Sequence, residues 1–155
     1  MKSNTCLAFD LGDRRRGVAI GNDLTETANP LMAIDATNDE GRFAAIAPLV
    51  KDWTPSAFVV GRPAHPDGKA HAMTARCEKF ARQLTGRFAL PAHLVDERYT
   101  SVDAARALSV SLSSRRLTGQ KKKQAIDAEA AAQILRRFFV EGPLLITGPE
   151  STIAQ

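Results

Sequence analysis

The chain has 155 residues, a hydrophobic fraction of 44%, a charged fraction of 25%, a formal net charge of +4 and a pI near 9.4. This is the size and mixture of one folded domain with its own core, which argues against a disordered chain and against a scaffold that needs staples. Its two cysteines, Cys6 and Cys77, form neither a zinc-ligand spacing nor a disulfide framework, and no apolar run is long enough to span a membrane.

The N-terminal "MKSNT" is followed by only four apolar residues before Asp10, too few for a signal-peptide core, so a cytoplasmic protein is expected. "CLAF" and "GVAIG" are short apolar runs joined by "DLGDRRR". They read as a β-hairpin whose loop uses Gly12 at positive φ. "LMAID" (31–35) is a third strand. A helix capped by Asn38 or Asp39 then runs to about Trp53, with Phe43, Ile46, Leu49 and Val50 at helical spacing and Pro55 as its stop.

"AFVVG" reads as a buried strand and "RPAHPDGK" as a loop. A helix from about Ala70 to Leu84 carries Met73, Cys77, Phe80, Ala81 and Leu84 on one stripe. "AHLVDE" is a further strand, and "SVDAARALS" a short helix capped by Ser101. "VSLSSRRLTGQKKKQ" is basic and shows no clean period. The last helix runs from about Ile126 to Val140 and stops at Gly142-Pro143. Residues 1–141 form one domain in this reading, and 142–155 a C-terminal tail. There is no internal repeat. An antiparallel hairpin followed by βαβ alternation implies an α/β fold, a mixed sheet covered by helices.

Three acids stand where structure alone does not need them. Asp10 closes the first strand on the face of Cys6 and Ala8. Glu97, beside Asp96, closes "AHLVDE". Asp127 shares a helical stripe with Ala131, Ile134 and Phe138 and so faces the sheet, while Glu129 points to solvent. Each has a plainer reading: a turn opener, a solvated strand end, or a first-turn helix acid that complements the macrodipole. Together they would repel one another without a cation, and an oxygen-only cluster suits Mg²⁺ or Mn²⁺.

The blocks "FDLGDRRRGVA", "VVGRPAHPDG", "LVDERYTSVDA" and "IDAEAAAQIL", in this order, resemble the YqgF family. Its members are described as pre-16S rRNA nucleases or Holliday-junction-resolvase-like proteins with an RNase H-like fold. The resemblance runs from about Cys6 to Val140. It implies an RNase H-like mixed sheet, with the antiparallel hairpin strands first, the parallel strands after them and helices on both faces. It places the metal-binding, catalytic acids on Asp10, Glu97 and Asp127, and it selects Glu97 over Asp96, which strand alternation left open. Gly12 and Gly17 match the hairpin glycines, and Arg15 the motif arginine. The chain departs from the family pattern at Arg16, Arg62 and His65.

Basic residues flank the proposed ligands: Arg14, Arg15 and Arg16 in the hairpin loop, Arg62 in the second block, and Arg115, Arg116, Lys121, Lys122 and Lys123 ahead of Asp127. Such groups position a phosphate backbone without reading its sequence; a solvated basic loop is the plainer account. His65 and His71 flank the Pro/Gly loop and are read as structural or idle, with a catalytic role as the lesser alternative. Tyr99 reads equally as a base-stacking or a packing residue.

The resemblance implies metal-dependent cleavage of structured nucleic acid, with precursor 16S rRNA as the partner. The first alternative is resolution of DNA four-way junctions, which would favour a symmetric homodimer. The second is a non-catalytic RNA-binding or ribosome-associated factor, which would tolerate loss of Asp10. The Asp-x-Gly hairpin also resembles that of actin-like sugar kinases, but the length leaves no second domain to close over a nucleotide.

Overall fold

A computed structural model describes residues 4–12, 15–63, 68–97, 119–142 and 145–147. Its element order is β1 (Thr5–Leu11), β2 (Arg15–Asn22), β3 (Thr27–Asp35), α1 (Asp39–Trp53), β4 (Ala57–Pro63), α2 (Gly68–Phe88), β5 (Ala92–Glu97), α3 (Gly119–Glu141) and β6 (Leu145–Thr147). The strands form a single six-stranded sheet in the order β3-β2-β1-β4-β5-β6. β1, β4 and β5 run parallel in the middle, with β2 and β3 antiparallel on one side and β6 antiparallel on the other. The expected mixed sheet is therefore observed.

Strand alternation separates two unlike faces. Leu7, Phe9, Phe58, Val60 and Leu94 point to one side, where Phe43 and Ile46 of α1 and Cys77, Phe80 and Leu84 of α2 cover them. Aromatic rings fill this layer, with Phe9 set edge-on to Phe80 at 5.3 Å between centroids. Cys6, Ala8, Ala19, Ala28, Val59 and Val95 point to the other side and meet Ala131, Ala132, Ile134 and Leu135 of α3. Here the residues are small, so the helix lies close to the strands. A Cβ on Gly21 would collide with the Thr27 carbonyl and the Leu135 side chain.

The helix boundaries carry two corrections. Asn38 caps α1, its Oδ1 accepting from the Gly41 N–H at 2.8 Å. The stop is made by Thr54 in the left-handed region, whose N–H donates to the Val50 carbonyl, rather than by Pro55. α3 begins at Gly119, well before the expected Ile126, and ends as expected at Gly142, which has φ +79. Its first turns are Gln and Lys, good helix formers without an apolar stripe to reveal them. Asp127 consequently lies beyond the first turn, and the macrodipole reading of this acid fails.

The sheet carries two more. β3 starts at Thr27, earlier than the expected Leu31, because pairing with β2 overrides Asn29 and Pro30. Pro30 is tolerated because β3 is an edge strand. Residues 145–147 of the expected tail pair with Leu94, His93 and Ala92, so this piece belongs to the sheet. The short helix expected at 101–109 lies outside the described residues.

Glu129 overturns another expectation. It is 8% exposed and accepts from Arg136 Nη1 at 2.9 Å, while Arg136 Nη2 donates to the Ala28 carbonyl of β3 at 3.1 Å. Arg136 bends over the helix edge and ties α3 to β3, which covers the carboxylate. Arg136→Met leaves that carboxylate buried without its ion, so a loss of about 3 kcal/mol is expected. The double variant with Glu129→Gln should lose clearly less. Urea unfolding of both variants checks this.

Candidate active site

Asp10 sits at the C-terminal end of central strand β1, in register with Gly17 of β2. Residues directly opposite in a sheet point to the same face, and for this pair it is the face of α3. The place of a side chain on Gly17 is taken by α3 itself: a Cβ there would overlap the carbonyl carbon and oxygen of Asp127. Gly17 thus seats the helix at the residue that carries the second acid. Asp10 is thus the cross-strand neighbour of the glycine on which the Asp127 backbone rests, although the two acids lie far apart in sequence.

A cation already sits there. Arg15 Nε donates to Asp127 Oδ2 at 2.6 Å, with the two side chains 28% and 25% exposed. This is a charge-assisted bond at a half-buried position, stronger than an exposed surface pair. Arg15 is the first residue of β2 and not a loop residue, and alternation puts it on the same face as Gly17.

β5 supplies the third position. Val95 belongs to the α3 side of the core and the His93 ring lies 5.0 Å from that of Phe138 on α3. Position 97 ends β5 and pairs with Pro63 at the end of β4, so it lies at the C-terminal end of a strand parallel to β1, as Asp10 does on β1. The side chains of Asp96 and Glu97 lie outside the described residues. Among those described, no three His, Cys, Asp or Glu side chains converge.

The basic residues divide. Lys121, Lys122 and Lys123 are exposed on the early turns of α3, upstream of Asp127 on a helix rather than in a loop. Arg14, Arg115, Arg116, His65, Tyr99, Thr100 and Ser101 lie outside the described residues. Arg16 does not fit a phosphate-holding role. It is 4% exposed on the α2 side of the sheet, its guanidinium 5.6 Å from the Phe80 ring centroid and its Nη1 donating to the Gly12 carbonyl at 3.0 Å. Arg62 is also on that side, where its Nη1 donates to Glu78 Oε2 of α2 at 2.9 Å. Both belong to the packing of α2, on the face opposite Asp10. Gly12 does not adopt a positive φ; it makes a close turn in which its N–H donates to the Arg15 carbonyl at 2.9 Å.

Burial, and then the charges of Arg42 and Arg76, push Arg16 down to about 10. A guanidinium at that value still holds its proton at neutral pH, so the buried charge is a standing cost to the fold. Its Nε also has no hydrogen-bond partner. Arg16→Met should therefore be neutral or stabilising by about 2 kcal/mol, without weakening nucleic-acid binding. Thermal unfolding and a filter-binding titration check the two halves.

His93 escaped the reading of the sequence, which weighed only His65 and His71. Burial pushes its imidazole below the ordinary value, and its Nδ1 is buried without a partner. Its signal was the alternation of "AHLVDE", which sets His93 and Val95 on the same side as position 97.

A family model described as "RuvX: Holliday junction resolvase" matches residues 4–141. The chain belongs to the RuvX family. This is the family that the four motif blocks pointed to under the name YqgF. A protein of Burkholderia vietnamiensis named "Putative pre-16S rRNA nuclease" is 47% identical over 137 residues, covering 88% of this chain and 89% of the relative. One of Burkholderia cenocepacia with the same name is 48% identical over 135 residues, 87% of this chain and 88% of the relative.

Among solved structures, T. thermophilus RuvC in complex with a Holliday junction substrate matches with TM-score 0.54 at 14% identity, over 89% of this chain and 94% of that one. The Fowlpox virus resolvase in complex with Holliday junction DNA matches with TM-score 0.50 at 8% identity, over 88% and 99%. These two establish a shared fold. No helix among the described residues is long and apolar enough to cross a membrane.

Proposed function

We propose that this RuvX-family chain is a divalent-metal-dependent endonuclease of structured nucleic acid, acting on the 5′ end of precursor 16S rRNA in the cytoplasm. The observation that supports the reading is that Asp10 pairs with Gly17 while the backbone of Asp127 packs on that same glycine. Two acids placed around one glycine at a strand end, with a guanidinium already against one of them, suit a place that holds positive charge. Oxygen donors of this kind fit Mg²⁺ or Mn²⁺. Asp10, Asp127 and Glu97 would hold the ion.

The chemistry such an ion supplies when bound is charge stabilisation on the phosphoryl oxygens and acidification of the attacking water. The chain does the rest. β1 and α3 fix the two carboxylates through packed backbone, which orients them before substrate arrives. Lys121, Lys122 and Lys123, with Arg14, Arg115 and Arg116 as further candidates, hold flanking phosphates and set the register of the strand to be cut. The names of the Burkholderia relatives favour RNA as the substrate. The family description, and the junctions bound by the two structural neighbours, favour the second reading: paired cuts in a DNA four-way junction by a homodimer.

Side-by-side incubation of precursor 16S rRNA and a DNA four-way junction with the purified protein, in Mg²⁺ and in Mn²⁺, separates them. Cleavage confined to the RNA supports the first reading, and paired symmetric cuts in the junction support the second. Binding of both substrates with cleavage of neither overturns the enzyme and leaves a binding factor.

A further inference from the structure

The shortest charged contact among those described at the site joins Arg15 to Asp127, the same carboxylate proposed for the metal. We propose that Arg15 is a displaceable counterion: it holds Asp127 while no metal is bound, and a divalent ion must compete with it for that carboxylate. This rests on the metal reading above and adds to it a link between metal and phosphate binding.

The geometry favours displacement over a permanent tie. The bond uses Nε and one oxygen, Oδ2, which leaves the second Asp127 oxygen and the terminal nitrogens of Arg15 outside this contact. Asp127 is held from behind by the backbone seat on Gly17, so it keeps its place whether or not Arg15 is bonded to it. Arg15 has a long side chain and is 28% exposed, so it has room to move away from the sheet. A metal ion and a guanidinium on the same carboxylate repel each other, so binding one weakens the other.

Once displaced, the guanidinium stands beside the ion with its donors open. A phosphate that reaches the metal then finds a planar fork of N–H groups next to it. Arg15 therefore couples two events. Without metal it neutralises Asp127 and contributes little to a nucleic acid; with metal it becomes a phosphate ligand. Lysine in its place keeps the charge but loses the fork.

The test titrates Mn²⁺ alone into the full chain by calorimetry, without nucleic acid, for wild type, Arg15→Gln, Arg15→Lys and Asp10→Asn. Arg15→Gln is expected to bind Mn²⁺ roughly tenfold more tightly than wild type, about 1.4 kcal/mol. Arg15→Lys should stay near wild type, and Asp10→Asn should bind more weakly. Equal or weaker binding by folded Arg15→Gln overturns the counterion and leaves the metal reading standing. No Mn²⁺ binding by any variant overturns both.

A second measurement reads the other half of the link and serves if Arg15→Gln folds poorly, because Arg15→Lys can replace it. Fluorescence anisotropy of a labelled RNA is followed with Ca²⁺ and with a chelator. Ca²⁺ should raise wild-type affinity severalfold more than it raises that of either variant. Equal Ca²⁺ gains in wild type and both variants overturn the link.

Discussion

Gly17→Ala should lose about 3 kcal/mol of stability and most of the nuclease activity together. A Cβ at this position would meet the Asp127 carbonyl carbon and oxygen and the Ala128 nitrogen, all of them backbone. Overpacking against a side chain is relieved by rotation at a cost of about 1–3 kcal/mol. Backbone of a helix pinned by Ala131, Ile134 and Leu135 has no such relief, so the upper end of that range applies. The helix must lift at the residue that carries the second carboxylate. A displacement of about 1 Å there costs on the order of 10²-fold in rate, because the two acids no longer address one point. Urea unfolding and single-turnover cleavage on the same preparation test the coupling. Lost activity with unchanged stability would place the damage somewhere other than the helix seat.

Asp10→Asn and Asp127→Asn should each lower cleavage by at least about 10³-fold, since several kcal/mol of transition-state charge stabilisation depend on the ion they would hold. Their structural costs differ. Asn at position 10 keeps the size of the side chain at a half-buried strand end, so Asp10→Asn should remain folded. Asp127→Asn also removes the charge that faces Arg15, which leaves a half-buried guanidinium against a neutral amide, and a loss of about 1 kcal/mol is expected. Cleavage rates at saturating Mg²⁺, with circular dichroism and thermal melts as the control for folding, check both. Cleavage by Asp10→Asn within tenfold of wild type would remove this carboxylate from the chemistry.

Local periodicity showed much of this architecture before the fold was known. Cys6, Ala8 and Asp10 share a face because a strand alternates. Asp127, Ala131 and Ile134 share a stripe because a helix repeats. What periodicity left out is whatever depends on contact between distant elements. That Gly17 is the seat of α3 follows only from the approach of the helix to β2. Glu129 reads as solvated on a helical wheel, and it is buried because Arg136 reaches across to the Ala28 carbonyl of an edge strand.

The arginine run shows the other limit. Three successive charges read as an exposed loop, but β2 begins inside them, and alternation sends Arg15 to one face and Arg16 to the other. One meets a carboxylate, and the other lies over Phe80. The early turns of α3 stayed hidden because Lys121, Lys122 and Lys123 are exposed and present no apolar stripe. Placing Asp127 beyond the first turn changes its chemistry, because the helix backbone around it is already hydrogen-bonded and the acid is left for other partners.

Under the proposed function, Asp10 and Asp127 form one metal site on the α3 face of the sheet. Crystals of the wild-type chain soaked in Mn²⁺ and measured for anomalous scattering test it directly. An anomalous peak is expected within coordination distance of carboxylate oxygens from both residues, with Arg15 turned away from Asp127. A peak elsewhere, or none at millimolar Mn²⁺ with the Arg15–Asp127 pair intact, would contradict it.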